Sequence, residues 1–274
     1  MRITERNLRA MVRSVIRESA DEVDPDAGPL EKIKFGLGGS TTAQDALHFL
    51  ELADMLGDSE LDKELNSWLA RFIAPSPDGV ALSAAFRGWM FTVRKNEMRG
   101  TGLTPEFVQL DRAVRKRAGI PDSQSLSLDA EGLRDLEVIR GLPLKRLYVN
   151  NMGGVSDTSA IAEFPNLRDL VLRGYGGRDL DFLRSTPKLA TLDLSDCPNL
   201  EDVEALLPLG QSTLGAINIF NAPKLEDLSP LCDIPPDRAR AIRCHLERVG
   251  SAKVNPDYMF LNQYCRAWQM KVGK

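Results

Sequence analysis

The sequence predicts an α/β fold: a short solenoid of parallel strands over residues 119–232, preceded by an all-α helical domain over 29–118 and closed by C-terminal helices over 233–274. Three observations predict it. Leucines recur through the middle of the chain in one uneven frame, at steps that fit neither a single helix nor a single strand. Before that frame, apolar residues fall at three- and four-residue intervals. After it, helix start and stop signals return. The chain has 274 residues, 43% apolar and 27% charged, which is ordinary for a folded protein with a real core.

Residues 1–28 read as a basic amphipathic helix and a tether. Arg2, Arg6, Arg9, Arg13 and Arg17 step by 4, 3, 4 and 4, so a helix carries them as one stripe. Ile3, Leu8, Met11, Val12, Val15 and Ile16 lie beside it. Such a helix docks on an anionic surface or an acidic groove, or packs on its own domain with solvated arginines; both readings stand. Glu5 and Glu18 count against a transit peptide, and the segment lacks the apolar stretch of a secretory signal. "DEVDPDAGP" (21–29) is acidic and rich in breakers, as a tether is. The opening is similar to N-termini of phage and metagenomic proteins, which implies a phage or bacterial origin.

The helical domain begins at "KIKFGLGGSTTAQDA" (32–46), read as a β-like run, a glycine loop and a helix start. That order can cradle a phosphate, but no lysine follows Gly39 and Thr41 replaces a third glycine. A linker is the favoured reading, with a nucleotide-binding enzyme using the Gly36–Gly39 loop as a remote alternative. Thr41 with Gln44 reads as a capping box, followed by Ala46, Leu47, Leu50, Ala53 and Leu56 at helical steps. "DSELDKELNSWLARFI" is a second helix, ended by "PSPDG", and "VALSAAFRGWMFTVRKNEM" a third. "TPEFVQLDRAVRKRAG" is a fourth, with Thr104 as N-cap, Pro105 in its first turn and Gly119 as its stop. The helix dipole accounts for Arg112, Arg115, Lys116 and Arg117 at its end. These helices are expected to cover the first coil of the solenoid.

The solenoid frame is L-x-x-L-x-L, with a turn slot and a return segment. "LATLDLSDCPNLEDVEALLPL" (189–209) shows it in full. It starts at residues 123, 144, 167, 189 and 214, at steps of 21, 23, 22 and 25. L-x-L is a short strand with both leucines on one face. The chain then turns and comes back along the far side, and no single coil can cover its own apolar face. "NLEDVEALLPL" and "KLEDLSPL" supply return segments. The pattern resembles the leucine-rich repeat family, in its roughly 22-residue, internalin-like class, with about five repeats. In the family's Asn-or-Cys slot this chain has Cys197, but also Met152, Tyr175 and Ala222, so the family's asparagine ladder is expected to be degraded and the turns irregular. The resemblance implies recognition of a protein partner through the concave strand face. The strand residues pointing outward include Arg146, Tyr148, Asn150, Asp169, Arg173, Asp193, Asn218 and Phe220. Among them, Arg and Tyr are types enriched at binding hot spots.

"DIPPDRARAIRCHLERVG" and "NPDYMFLNQYCRAWQM" are read as two closing helices. The four cysteines form no C-x-x-C pair, so buried free thiols in a reducing compartment are expected, cytoplasmic or particle-associated. With only His48 and His245, and with Cys244 and His245 adjacent on an expected helix, no metal site and no cofactor are expected. The formal net charge of −4 argues against a nucleic-acid partner. No apolar run is long enough for a transmembrane segment. No nucleophile motif stands out, so the expectation is a non-enzymatic binding protein. A structural subunit of a larger assembly, such as a virion or secretion machine docked by its arginine helix, is the alternative.

Overall fold

The computed structural model describes residues 27–73, 89, 93–96, 98–99, 102–250 and 259–272. The arginine stripe of residues 2–17 lies outside them, as do "PSPDG" and most of the third helix. The chain divides into two compact units: Met1–Glu97 with Gln109–Pro121, and Met98–Val108 with Asp122–Lys274.

The first unit is helical. Helices α1 (Pro29–Gly39), α2 (Ala43–Leu56) and α3 (Ser59–Ile73) precede α4 (Pro105–Ala118), most of which belongs to this unit. Ile33, Leu37, Phe49, Leu50, Leu65, Leu69, Leu110 and Val114 are buried. The β-like run and glycine loop are a correction: residues 32–39 are the body and last turns of α1. A Cβ on Gly36 would sit 2.2 Å from the Phe49 ring, so the glycine admits that ring against the helix. No glycine loop precedes α2, and the phosphate-cradle reading goes with it. The cap of α2 is also shifted by one residue. Thr42 accepts from the Asp45 N–H at 3.1 Å and donates to the Asp45 carboxylate at 2.7 Å. Thr104 caps α4 as expected, accepting from the Phe107 N–H at 3.3 Å, and Gly119 ends it at φ 70°. The basic end of α4 is engaged internally. Arg115 donates to Asp111 at 2.8 Å, and Arg117 reaches Asp54, Asp62 and Asn66.

The second unit is an α/β solenoid. Among the described residues its sheet has nine strands in sequence order: β1 (Met98–Arg99), β2 (Gly102–Leu103), β3 (Ser125–Asp129), β4 (Arg146–Asn150), β5 (Asp169–Arg173), β6 (Thr191–Ser195), β7 (Ala216–Ala222), β8 (Arg243–Val249) and β9 (Met259–Phe260). β2 through β8 are parallel, and a two-residue antiparallel strand closes each end. Val149, Leu172, Leu194 and Ile219 stand side by side on adjacent strands, flanked by Leu128 and Leu246. All six are buried. Return segments of 3₁₀ helix (Glu137–Ile139, Ser159–Glu163, Asp181–Ser185) and short α-helix (Leu206–Ser212, Ser229–Cys232) add Ile139, Ile161, Leu183, Leu206 and Leu231 to the same core.

Coils are tied by shared backbone acceptors. The carbonyls of Gln124, Lys145, Arg168 and Ala190 each accept two N–H groups from the next coil. The turns are regular rather than irregular. Each exit from β4 to β7 passes through one left-handed residue, Asn151, Gly174, Asp196 or Asn221, and Arg248 holds the same conformation at the end of β8. Asn and Asp tolerate that conformation better than most side chains. Asn151 donates to Asp129 at 3.0 Å and Asn221 to Asp196 at 2.7 Å, so polar bonding moves one residue ahead of the expected slot. The slot itself (Met152, Tyr175, Cys197, Ala222) is apolar and buried. A second recurrence sits at the return. Asp135, Asp157, Asp179, Asp202 and Asp227 each accept the N–H two residues on, at 2.6–3.1 Å.

Two further expectations are corrected. Residues 234–250 are not a helix: one turn forms at Pro236–Ala239, and β8 then joins the sheet. The reason is visible in the burial of Ile242, Cys244 and Leu246, a period of two. The cysteines are not all free. Cys232 and Cys265 form a disulfide with Cα atoms 5.3 Å apart, while Cys197 and Cys244 remain buried thiols. The partners are 33 residues apart in sequence, and C-terminal helix α5 (Leu261–Val272) brings them together by folding back on Ser229–Cys232.

Candidate functional site: the outer face of the sheet

Strand alternation buries one face of the sheet and turns the other to solvent in rows. At the strand entries stand Ser125, Arg146, Asp169, Thr191, Ala216 and Arg243, and in the middle Ser127, Tyr148, Val171, Asp193, Asn218 and His245. Arg173, Ser195, Phe220 and Glu247 form a third row at the exits. Adjacent strands lie about 4.8 Å apart, so each row is a continuous surface.

The face has two halves of different character. Over β6–β8 the polar groups bond to one another. Ser195 Oγ donates to Asp193 at 3.1 Å, Asn218 Nδ2 donates to Asp193 at 2.7 Å, and Asn218 Oδ1 meets His245 Nδ1 at 2.9 Å. His245 Nε2 stands 3.8 Å from Glu247, and the Arg248 guanidinium lies 5.5 Å over the Phe220 ring. Phe220 is therefore half-buried rather than presented.

Over β4–β5 three outward side chains are uncommitted. Tyr148 is 37% exposed, Arg146 and Arg173 are exposed, and none of the three has a side-chain partner among the described residues. Val171 and Asp169 lie between them, half-buried. At the end of β3, Asp129 is only 2% exposed and accepts from the Glu131 N–H and from Asn151, so it supports the turn. Asn150, its register partner, is half-buried.

Sequence reading grouped Arg146, Tyr148, Asn150, Asp169, Arg173, Asp193, Asn218 and Phe220, and the register places all of them on this one face. It missed Arg243, His245 and Glu247 because β8 was read as helix. The alternation of Ile242, Cys244 and Leu246 was the signal that would have found them. Cys244 and His245 point to opposite faces, one buried and one outward. Burial pushes the Cys197 and Cys244 thiols up to about 12, so neither is a nucleophile near neutral pH. Among the described residues no group of three His, Cys, Asp or Glu side chains is placed to hold a metal, and no helix is long and apolar enough to cross a membrane.

No family model matches the chain, and no curated protein matches it. Among solved structures it is similar to an internalin C2 from Listeria monocytogenes str. 4b F2365, at 15% identity and a TM-score of 0.40, over 69% of this chain and 86% of that one.

Proposed function

We propose that this chain is a leucine-rich-repeat protein that binds a protein partner through the outer, concave face of its sheet, and that it does so without catalysis. The observation that supports the reading most is Tyr148. A large aromatic side chain stands exposed on a strand face, with the unpaired guanidiniums of Arg146 and Arg173 on the same two strands. An exposed ring surrounded by uncommitted polar groups is what a hot spot looks like before its partner arrives. Asp169 and Val171 complete the contact area, and the bonded Asp193–Asn218 half supplies a rigid floor beside it.

The test compares capture by the intact chain with capture by Tyr148→Ala and Arg173→Glu variants, using extract of the native source and mass spectrometry. Proteins recovered by the parent are expected to be lost from both variants. Thermal midpoints are expected to stay within about 2 °C, because neither side chain is in the core. Equal recovery by parent and variants defeats the reading.

A further inference from the structure

We infer that the β4–β5 part of the face takes an extended acidic segment of a protein, with carboxylates at positions i and i+4 and an apolar side chain at i+2. The inference rests on the binding role proposed above and names the partner's chemistry.

Charge supplies the first argument. The chain as a whole is net negative, at −4, yet Arg146 and Arg173 stand on these two strands, with Lys145 and Arg168 immediately before them, against the single carboxylate of Asp169. All four basic residues are exposed, and none has a side-chain partner among the described residues. Elsewhere in the same unit some basic groups are engaged, Arg140 with Glu137 and Glu163, Arg184 with Asp181 and Glu204, and Arg238 with the carbonyls of Gly210 and Leu214, while others such as Arg178 and Arg243 stand exposed. Four exposed cations set against one carboxylate favour an anionic ligand.

Geometry supplies the spacing. Arg146 opens β4, and Arg173 closes β5, four residues further along the strand direction. That separation is about 13 Å. An extended peptide covers the same distance between residues i and i+4, on one of its faces. Tyr148 and Val171 are register partners midway, where residue i+2 would rest. A nucleic acid fits less well. Its unbroken line of phosphates would run from this cluster toward Asp193 and Glu247 on the same face, whereas two isolated carboxylates need not.

A phage-displayed library of random twelve-residue peptides, selected on the full chain, tests this. Enriched peptides are expected to share an acid–x–apolar–x–acid pattern. A synthetic copy is expected to bind at least tenfold more weakly to an Arg146→Glu/Arg173→Glu protein, and more weakly in 500 mM than in 50 mM salt. A copy with lysine for both acids is expected to bind that charge-reversed protein. Circular dichroism checks its fold, and Arg146→Gln/Arg173→Gln, expected to show a smaller loss, serves if the reversal unfolds the chain. If peptides lose binding on Tyr148→Ala but ignore both arginine pairs, the acidic segment is wrong and face binding stands. Tighter binding of a twelve-nucleotide thymidine strand through the same arginines overturns the choice of ligand class. No enriched peptide, or peptides indifferent to all these substitutions, defeats both readings.

Discussion

At the scale of single residues, the interior of the solenoid is inert chemically and sensitive to pH. Cys197 and Cys244 lie in the core, and burial holds their thiols neutral to about 12. Tyr175, its hydroxyl bonded to the Asp179 carbonyl at 2.8 Å, is also pushed up to about 12, first by burial and then by nearby carboxylates. In the unfolded chain a cysteine releases its proton near 8.5 and a tyrosine near 10. Between those values and about 12 the unfolded state binds fewer protons than the folded one, so stability falls as pH rises. Thermal midpoints are therefore expected to drop progressively above pH 9. A Cys197→Ala/Cys244→Ala protein is expected to start lower and fall less steeply. Native alkylation by iodoacetamide at pH 8 is expected to leave both thiols intact until denaturant is added. Labelling of Cys197 in the native chain at the rate of a free thiol contradicts this account.

At the scale of elements, each coil is a strand, a left-handed turn and an aspartate-started return. The turn sets a requirement that can be probed at one position. Asn221 holds φ 56° and donates to Asp196 in the preceding coil at 2.7 Å. Asn221→Val puts a β-branched side chain in that conformation and removes the bond, so a loss of about 2–3 kcal/mol is expected. Asn221→Gly keeps the conformation and is expected to stay within about 1 kcal/mol of the parent. Urea titration checks both, with the midpoint moving and the slope unchanged. The strands and their register were legible because Leu147, Leu170, Leu192 and Ile217 repeat in one frame, and burial of a repeating face leaves little choice of register. The turn was not legible, because the expectation was tied to the slot of Met152 and Cys197, while the conformational demand falls on the residue before it. β8 was missed for another reason. Pro235 and Pro236 start a helix, and that start signal outweighed the alternation of Ile242, Cys244 and Leu246 that pairs β8 with β7 after one turn.

At the scale of the whole solenoid, the ends decide whether stacked coils stay closed, since an exposed sheet edge invites further pairing. The C-terminal end has a backbone and a covalent closure. β9 pairs antiparallel with β8 through Arg243–Phe260 and Cys244–Met259, and the helix that follows buries Leu261 and Tyr264 against the last coil. The Cys232–Cys265 bond fastens that helix to the return segment before β8. Cysteine spacing gave no hint of it, because the pairing is a product of how the last coil folds, and the bond removes the cysteine-based argument for a reducing compartment. Closing a loop of this length removes unfolded-state entropy equivalent to about 3–4 kcal/mol in the chain-entropy account. Two accessible thiols are expected by mass spectrometry after denaturation without reductant, and four with it. Reduction, or a Cys265→Ser substitution, is expected to lower the thermal midpoint by several degrees. The earliest hydrogen exchange is then expected in Leu261–Val272 and β9, with β4–β6 protected as before, because only the end is released. Four free thiols without reductant, or a midpoint indifferent to the substitution, leaves the end held by the β8–β9 pairing and the packing of Leu261 and Tyr264.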